Sequence, residues 1–373
     1  MVSDSDIQRI ARLTPLADVL ASFDLSIGPI EPREEAMPKA LGLTLAASAV
    51  IAEGQPRAAL ALRDGYAVRA EATLDASSYA PAPLSPAPPQ VSTGDAMPAD
   101  TDAVATLDAV QMRGALAEAL AAVAPGEGVL APDADAAAGL QLRLAGGRLR
   151  RIDIALLTAL GIERVLIRQP RVRVVAVGTG AVISGAATLI ASAIDGESGL
   201  ALSGSGTLEA GLRDDSADSA DMVVAIGGTG SGRNDESVRT LARIGQVAFH
   251  GIGITPGETT ALGFVDGRPV LLLPGRIDAA LAGWLTVGRR MLARRAFRLI
   301  EEQPFAAELA RKIASPLGLA EVVAVRRRLG KVEPVAQGYL SMQALACAEG
   351  WILIPADSEG HAPGSLVVVR PWP

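Results

Sequence analysis

Four glycines stand within the six residues from Gly227 to Gly232, directly after an apolar run that ends at Ile226. Two further apolar runs end in glycine turns, Gly178-Thr179-Gly180 and Pro274-Gly275. Glycine lets backbone N–H groups approach an anion closely, so the stretch can cradle a phosphate, but it can also be a plain turn between a strand and a helix. Because ligands of open α/β sheets bind at the carboxyl ends of the strands, we expect the three turns to line one pocket.

The spacing of these glycines argues against two familiar phosphate loops. The run lacks the Gly-Lys-Ser/Thr ending of an NTPase loop, and it does not match the dinucleotide-binding fingerprint. A nucleotide hydrolase therefore has only the glycine run in its favour. Arg233 and Arg276 each follow a glycine turn, and they are either phosphate-binding groups or solvated loop arginines.

The elements that position these turns alternate between strands and helices. Helical stretches follow three of the four apolar, strand-like runs RVRVVAVGTG, DMVVAIGGTG, QVAFHGIGI and PVLLLPGR, which predicts an α/β sheet. The pair Asp266-Gly267 lies between two apolar runs and is typical of a hairpin turn. We therefore expect this sheet to have an antiparallel edge.

The flanking segments predict a helix and two regions rich in strands. Apolar residues recur at helical spacing near the start and predict an opening helix through Ile7, Ile10, Leu13, Leu16 and Leu20. Residues 25–138 combine short strands with turns, and a helix stopped at Gly161 precedes a strand that runs toward Pro170. From Pro316 onward, the pattern predicts a small closing β-domain.

Two predictions concern burial near the end of the chain. The arginines of one helix fall mainly off its apolar stripe, which predicts a solvated face with Arg289, Arg290, Arg294, Arg295 and Arg298. Cys347 is the single cysteine, so it forms no internal disulfide, and we predict that it is a small buried apolar residue. With His250 and His361 as the only histidines, the chain has no Cys/His zinc constellation.

Composition narrows the function classes further. A length of 373 residues predicts two to four domains, and 49% hydrophobic with 3% aromatic residues predicts cores built from Ala, Val, Leu and Ile. The net charge of −7 gives no basic footprint for nucleic acid. The apolar run after Lys39 is too short to span a bilayer, and the first residues lack the basic head of a signal peptide. We expect a cytoplasmic protein without a membrane partner.

The order of several motifs resembles that of the MoeA-type molybdopterin molybdenumtransferases, which are related to the C-terminal domain of gephyrin. RDGYAVRA resembles the Asp-Gly-Tyr-Ala motif of that family, and STGDAMPADTDAV resembles its Thr-Gly-x-x-x-Pro stretch. IGGTGSGRND is similar to its Gly-Gly-x-Ser-x-Gly loop, while ITPGE and LLLPGR stand where the family has Lys-Pro-Gly-Lys and Leu-Pro-Gly-Asn-Pro. The resemblance covers nearly the whole chain.

This resemblance implies a multidomain α/β plus β fold. Residues 171–298 would form a MoaB/Mog-like three-layer α/β domain that binds molybdopterin, and residues 25–139 a β-rich second domain. A linking domain would combine residues 1–24 and 140–170, and residues 299–373 would form a C-terminal β-barrel-like domain. Two such subunits would associate as an elongated homodimer, in which the β-rich domain of one completes the cleft of the other.

The resemblance also implies the chemistry. Molybdate would be inserted into adenylylated molybdopterin and AMP released, with Mg²⁺ taking part. Asp64 and Asp135 match family carboxylates and would be catalytic, whereas Asp214 and Asp235 would bind the metal. The substrate would be bound by Thr179, Gly227, Gly228, Thr229, Gly230, Ser231, Gly232, Pro274, Gly275 and Arg276. Each aspartate also has a structural interpretation, such as a turn at Asp64-Gly65 or a helix cap at Asp235.

Departures from the family pattern keep a second function open. Gly180-Ala181-Val182 replaces a Gly-Asp-Glu, and Gly251, Thr255 and Glu258 stand where the family has lysines. Exchanging a lysine for Glu258 near a phosphate reverses a charge term of about 4 kcal/mol at 4 Å and an effective dielectric of about 20. The alternative is a non-catalytic paralogue that binds a pterin cofactor or scaffolds its delivery, with a molybdoenzyme or other cofactor-biosynthesis proteins as partners.

Overall fold

The computed structural model describes residues 8–114, 116–203, 207–213, 219–298 and 303–373. Asp214, one of the two predicted metal ligands, lies outside these residues. The chain forms two compact units, one made of residues 48–144 and 155–163 and the other of the remaining segments. The predicted division into four domains stays a prediction.

Helices are short and most of them belong to the larger unit. The α-helices are Leu16–Ser26, Arg151–Ala159, Ala181–Gly196, Leu208–Leu212, Ser237–Ile244, Ile277–Gly283, Arg289–Ala296 and Met342–Cys347. A π-helical segment, Trp284–Gly288, connects the helices Ile277–Gly283 and Arg289–Ala296 into one continuous helix. Single 3-10 turns occur at Met37–Lys39, Ala70–Thr73 and Leu107–Ala109.

A six-stranded sheet forms the centre of the larger unit. In spatial order its strands are Leu200–Ser203, Arg171–Ala176, Met222–Ile226, Arg268–Leu273, Ala261–Val265 and Gln246–His250. The first four are parallel and the last two antiparallel. The predicted hairpin is confirmed, because Asp266 and Gly267 have φ values of 50° and 78° between the antiparallel strands Ala261–Val265 and Arg268–Leu273. A two-residue turn with both φ angles positive matches the twist of the strands it joins.

Both faces of this sheet are covered, as in a three-layer α/β domain. Met222, Val224 and Ile226 pack into one apolar cluster, together with residues of the Ala181–Gly196 helix. The alternate residues Val223 and Ala225 pack into a second cluster on the opposite face. All five residues of the strand are buried, which explains why its sequence is apolar without alternation.

A second, seven-stranded sheet gathers segments from three parts of the chain. In order, its strands are Thr14–Pro15, Ile252–Thr255, Ala320–Arg328, Gly350–Ile354, Leu366–Pro371 and Phe305–Glu308, with Lys331–Ala336 paired to Ala320–Arg328. The strands predicted after Pro316 are therefore confirmed. The run QVAFHGIGI is not a single strand, because Gly251, with φ of 88°, divides it between the two sheets.

The remaining sheets are small. In the larger unit, Arg164–Arg168 lies between Arg33–Ala36 and Thr44–Leu45, and Ile313–Ala314 pairs with Gly360–His361. Among its described residues, the smaller unit has two three-stranded sheets and two strand pairs. They comprise Val110–Arg113, Leu116–Ala119 and Ala82–Leu84; Gln90–Val91, Gly65–Val68 and Ala103–Ala105; Leu60–Ala61 with Val129–Leu130; and Ala49–Val50 with Gln141–Arg143.

Ile7, where the predicted opening helix begins, lies outside the described residues, and between residues 8 and 15 the prediction is wrong. The helix begins only at Leu16, and Thr14–Pro15 is a strand instead. Proline has a fixed φ and no backbone N–H, and it disfavours helical geometry in the residue before it. Ile10 and Leu13 therefore have the spacing of apolar residues in a helix without forming one. Their side chains lie close to Gly251 instead.

The burial prediction for Cys347 is wrong, and the predicted solvated face is wrong at Arg289 and Arg298, whereas Arg290, Arg294 and Arg295 are half-buried. Cys347 is exposed rather than buried. Arg289 and Arg298 are buried, because both donate to the carboxylate of Glu197 at 2.6 and 3.1 Å. The partner lies about a hundred residues earlier in the chain, so the helical pattern alone could not reveal it. Among the described helices, none is long and apolar enough to cross a bilayer.

Candidate functional site

The three glycine turns lie together at one edge of the six-stranded sheet. They follow Arg171–Ala176, Met222–Ile226 and Arg268–Leu273, which are neighbours and parallel. Backbone hydrogen bonds continue across the turns, since Val177 N–H donates to the carbonyl of Ile226 and Gly227 N–H to that of Leu273, both at 2.8 Å. The carboxyl ends of adjacent parallel strands form the usual binding edge of such a sheet.

The first two residues of the glycine loop must be glycine. Gly227 and Gly228 have φ values of 106° and 70°, which residues with side chains rarely adopt. A Cβ atom on Gly227 would overlap the carbonyl oxygen of Val177, and one on Gly228 would lie 2.6 Å from the hydroxyl of Ser237. That hydroxyl donates to the carbonyl of Gly227 at 2.7 Å, which ties the loop to the helix that follows.

The second half of the glycine loop closes on Asp235. Its carboxylate accepts a hydrogen bond from Gly232 N–H at 2.9 Å, and a Cβ atom on Gly230 or Gly232 would lie 2.8 Å from the same oxygen. Asp235 therefore orders the loop, and it does not cap the helix Ser237–Ile244, whose N-cap is Glu236. Ser231 at the tip of this loop and Thr179 in the neighbouring turn are exposed.

Thr229 connects the glycine loop to the segment after Gly257. Its side chain is 1% exposed, and its hydroxyl lies 2.8 Å from that of Thr259. The ring nitrogen Nε2 of His250 lies 3.1 Å from the Thr229 carbonyl oxygen. These contacts fix the middle of the loop, and sequence reasoning had attached no role to His250 or Thr259.

Arg276 is exposed at the same edge but already has a partner. Its guanidinium forms a two-pronged ion pair with Asp278, with Nε 3.0 Å from Oδ1. Asp278 is only 3% exposed, whereas the Arg276 side chain is 57% exposed. The pKa of Arg276 is raised, mainly by its hydrogen bond to Asp278 and further by the negative charges of Asp278 and Glu258.

The Pro-Gly turn approaches the glycine loop directly. A Cβ atom on Gly275 would lie 3.5 Å from the Cα atom of Gly227, so the two turns are in backbone contact distance. Pro274 is buried and directly follows the strand Arg268–Leu273. A recess of about 460 Å³ opens elsewhere in the same unit, lined by Ser219, Asp221, Gly267, Arg268 and Arg295, and none of the predicted site residues lines it.

Asp64 and Asp135 belong to the smaller unit. Asp64 is exposed, and its Oδ1 accepts hydrogen bonds from the backbone N–H and the hydroxyl of Thr93 at 2.8 and 3.2 Å. Asp135 is also exposed, and its backbone N–H donates to the carbonyl of Gln55 at 3.0 Å. Both carboxylates are therefore on loops and accessible to solvent.

Two family models match the chain. Residues 10–161 match the "MoeA N-terminal region (domain I and II)", and residues 205–294 match the "Probable molybdopterin binding domain". The chain belongs to the MoeA-type family. This membership connects it with molybdenum cofactor biosynthesis and confirms the resemblance of its motifs.

Solved structures agree with this MoeA-type assignment. A molybdopterin biosynthesis MoeA protein from Pyrococcus horikoshii has a TM-score of 0.80 at 26% identity, covering 97% of this chain and 100% of that one. A second structure of that name and organism has a TM-score of 0.75 at 22% identity with the same coverage, and it supports the fold. A Methanocaldococcus jannaschii protein named for molybdopterin biosynthesis is 33% identical over 150 residues, which is 40% of this chain and 36% of that protein.

Within this MoeA-type chain, the positions of the absent lysines have distinct surroundings. A Cβ atom on Gly251 would lie 2.6 Å from the side chain of Ile10, so a lysine does not fit there without rearrangement. Thr255 is 7% exposed. The half-buried Glu258 turns back on its own loop, because its Oε2 accepts a hydrogen bond from Gly257 N–H at 3.1 Å.

The described part of the chain contains no ready-made cluster of three metal-binding side chains. Mg²⁺ requires several oxygen ligands in near-octahedral geometry. No three carboxylate, imidazole or thiolate side chains converge among the described residues, and the Asp235 carboxylate is used by its own loop. We therefore derive no step through a metal ion.

Proposed function

We propose that this MoeA-type protein binds adenylylated molybdopterin and inserts molybdate into its dithiolene with release of AMP. The observation that carries the proposal is the adjacency of the glycine loop and the Pro-Gly turn at the carboxyl ends of neighbouring parallel strands. At this end of the sheet, glycine turns allow close approach of a phosphate to the backbone, and the exposed guanidinium of Arg276 can pair with it. The proposal extends to a homodimer and to Mg²⁺ as an added ion.

A release assay tests the proposal directly. Purified protein is mixed with adenylylated molybdopterin, excess Mg²⁺ and molybdate, and AMP is measured over time. Molybdate-dependent AMP release supports the enzyme, and its complete absence contradicts it. Binding without release would favour the alternative, a MoeA-like scaffold that carries a pterin, which the loss of three family lysines at Gly251, Thr255 and Glu258 motivates.

Asp64→Asn is expected to lower molybdate-dependent AMP release by about tenfold or more without unfolding the protein. The amide oxygen of asparagine can accept the same two hydrogen bonds from Thr93, so the loop is preserved while the charge is removed. AMP release and thermal unfolding are measured in parallel. Asp95→Asn is a control of the same type, because that carboxylate also accepts from a loop N–H, that of Ser92. Unchanged release by Asp64→Asn would remove Asp64 from the catalytic set.

Arg276→Ala is expected to weaken ligand binding by about 1.5 to 3 kcal/mol, the range for a hydrogen bond to a charged group. Added salt should shrink the difference, because charge interactions are screened. Stability should fall as well, since the buried Asp278 loses its ion pair, so binding is measured by calorimetry well below the unfolding temperature.

Two companion variants separate charge from structure in that experiment. Arg276→Lys keeps a cation near Asp278 and should recover part of the affinity. Glu258→Lys reverses a charge that acts on Arg276 and should strengthen anion binding. If Arg276→Ala and Glu258→Lys both leave affinity unchanged, the anion does not bind beside this turn.

A further inference from the structure

An exposed aromatic ring stands beside Arg276. The guanidinium carbon of Arg276 lies 4.7 Å from the centre of the Tyr339 ring, the arrangement of a cation–π contact. Tyr339 is 60% exposed, so most of the ring faces solvent. It belongs to the loop between the strand Lys331–Ala336 and the helix Met342–Cys347, and no motif had drawn attention to it.

Two buried carboxylates hold this loop in place, one on each side of the ring. Glu321, 2% exposed, accepts a hydrogen bond from Gly338 N–H at 2.8 Å. Asp278 accepts one from Leu340 N–H at 3.2 Å and also pairs with Arg276. The Asp278 carboxylate therefore positions both Leu340, which follows Tyr339 in the sequence, and the Arg276 guanidinium, which stacks on the Tyr339 ring.

Holding this loop in place carries a cost for stability. Burying a carboxylate is costly unless it is fully hydrogen-bonded, and Glu321 Oε2 is buried without a partner. An aromatic ring that stays exposed recovers little apolar burial in return. Rigid placement of an exposed ring next to a cation that directly follows the Pro-Gly turn is what recognition of a flat ligand requires.

We propose that Tyr339 determines specificity by stacking on the planar nitrogen heterocycle of the ligand whose phosphate binds at the glycine loop. The inference rests on the proposed function and adds the surface that recognises the ring. Arg276 would bridge the two parts, because it follows Gly275 directly and contacts the ring. The heterocycle is either the adenine or the pterin of adenylylated molybdopterin, since both present the same flat π-face.

Three probes distinguish these sources and isolate the stacking contact. AMP carries adenine, a pterin monophosphate carries the pterin ring, and ribose 5-phosphate carries a phosphate without a heterocycle. Tyr339→Ala should weaken the binding of at least one of the first two by about 5- to 150-fold, as base stacking on an aromatic side chain does. Its affinity for ribose 5-phosphate should stay within about twofold of wild type, because no ring is lost. Calorimetry measures all three.

Two control variants accompany Tyr339→Ala. Tyr339→Phe keeps the ring and should bind like wild type, whereas Tyr79→Ala removes a fully exposed tyrosine of the smaller unit and should change nothing. Loss of affinity for AMP alone identifies adenine, and loss for the pterin alone identifies the pterin. Equal affinities of Tyr339→Ala and wild type for both ring probes overturn the stacking role but leave the proposed function intact. Failure of wild type to bind either probe overturns both.

Discussion

Gly227→Ala is expected to lower the free energy of unfolding of the larger unit by about 2 to 4 kcal/mol and to abolish ligand binding at the glycine loop. The backbone at Gly227 has φ of 106°, outside the regions that alanine adopts at low energy. The added methyl group would also overlap the carbonyl oxygen of Val177 on the neighbouring strand. Because this contact is with backbone, no side-chain rotation relieves it.

Tryptophan fluorescence during denaturant unfolding is the suitable measurement. The three tryptophans, Trp284, Trp351 and Trp372, all lie in the larger unit, so their emission reports on the unit that contains the loop. Gly196→Ala is the matched control, because a Cβ atom there meets nothing within 4 Å and the residue is the last of a helix. It should change stability by less than about 1 kcal/mol. Equal stability of the two variants would mean that the loop has a different backbone conformation.

Glu197→Gln is expected to have a still larger effect on stability, about 3 to 5 kcal/mol, because it removes one partner of a buried charge network. Glu197 accepts from Arg289 at 2.6 Å and from Arg298 at 3.1 Å, and all three residues are less than a tenth exposed. Burial lowers the pKa of Arg298, with the like charges of Arg148 and Arg289 adding to the effect. The Glu197 carboxylate opposes that lowering, so its loss leaves both guanidinium groups without the anion they share.

A surface ion pair of the same larger unit provides the comparison. Glu34 pairs with Arg164 at 3.0 Å, but their side chains are 65% and 56% exposed. Glu34→Gln should cost less than about 1 kcal/mol, since solvent and salt already screen the pair. A cost for Glu197→Gln as small as that of Glu34→Gln would show that the network is hydrated in solution.

Local signals predicted the features of the fold that depend on neighbouring residues. The Asp266-Gly267 hairpin follows from two residues with positive φ, and the parallel strands follow from apolar runs that are buried on both faces. The glycine turns at the strand ends follow from the same runs. Pro15 was the local signal that contradicted the opening helix, and it outweighed the helical spacing around it.

Features that depend on distant partners could not be predicted from the sequence pattern. Arg289 and Arg298 lie off the apolar stripe of their segment, yet they are buried because Glu197 comes close in space. Tyr339 meets Arg276 across more than sixty residues of sequence. The Arg276–Asp278 pair could have been predicted from the sequence, since two opposite charges stand two residues apart at the start of a helix. The roles of Asp64, Asp135, Asp235 and the glycine loop in binding stay predictions.

The central claim is that the glycine-loop edge of the six-stranded sheet binds the phosphate of a pterin nucleotide. Calorimetric titration of the wild-type protein with adenylylated molybdopterin, molybdopterin and AMP in parallel tests it most directly. The account predicts saturable binding, tightest for the adenylylated form because it alone offers both a phosphate linkage and two flat rings. No binding of any of the three ligands would contradict the account.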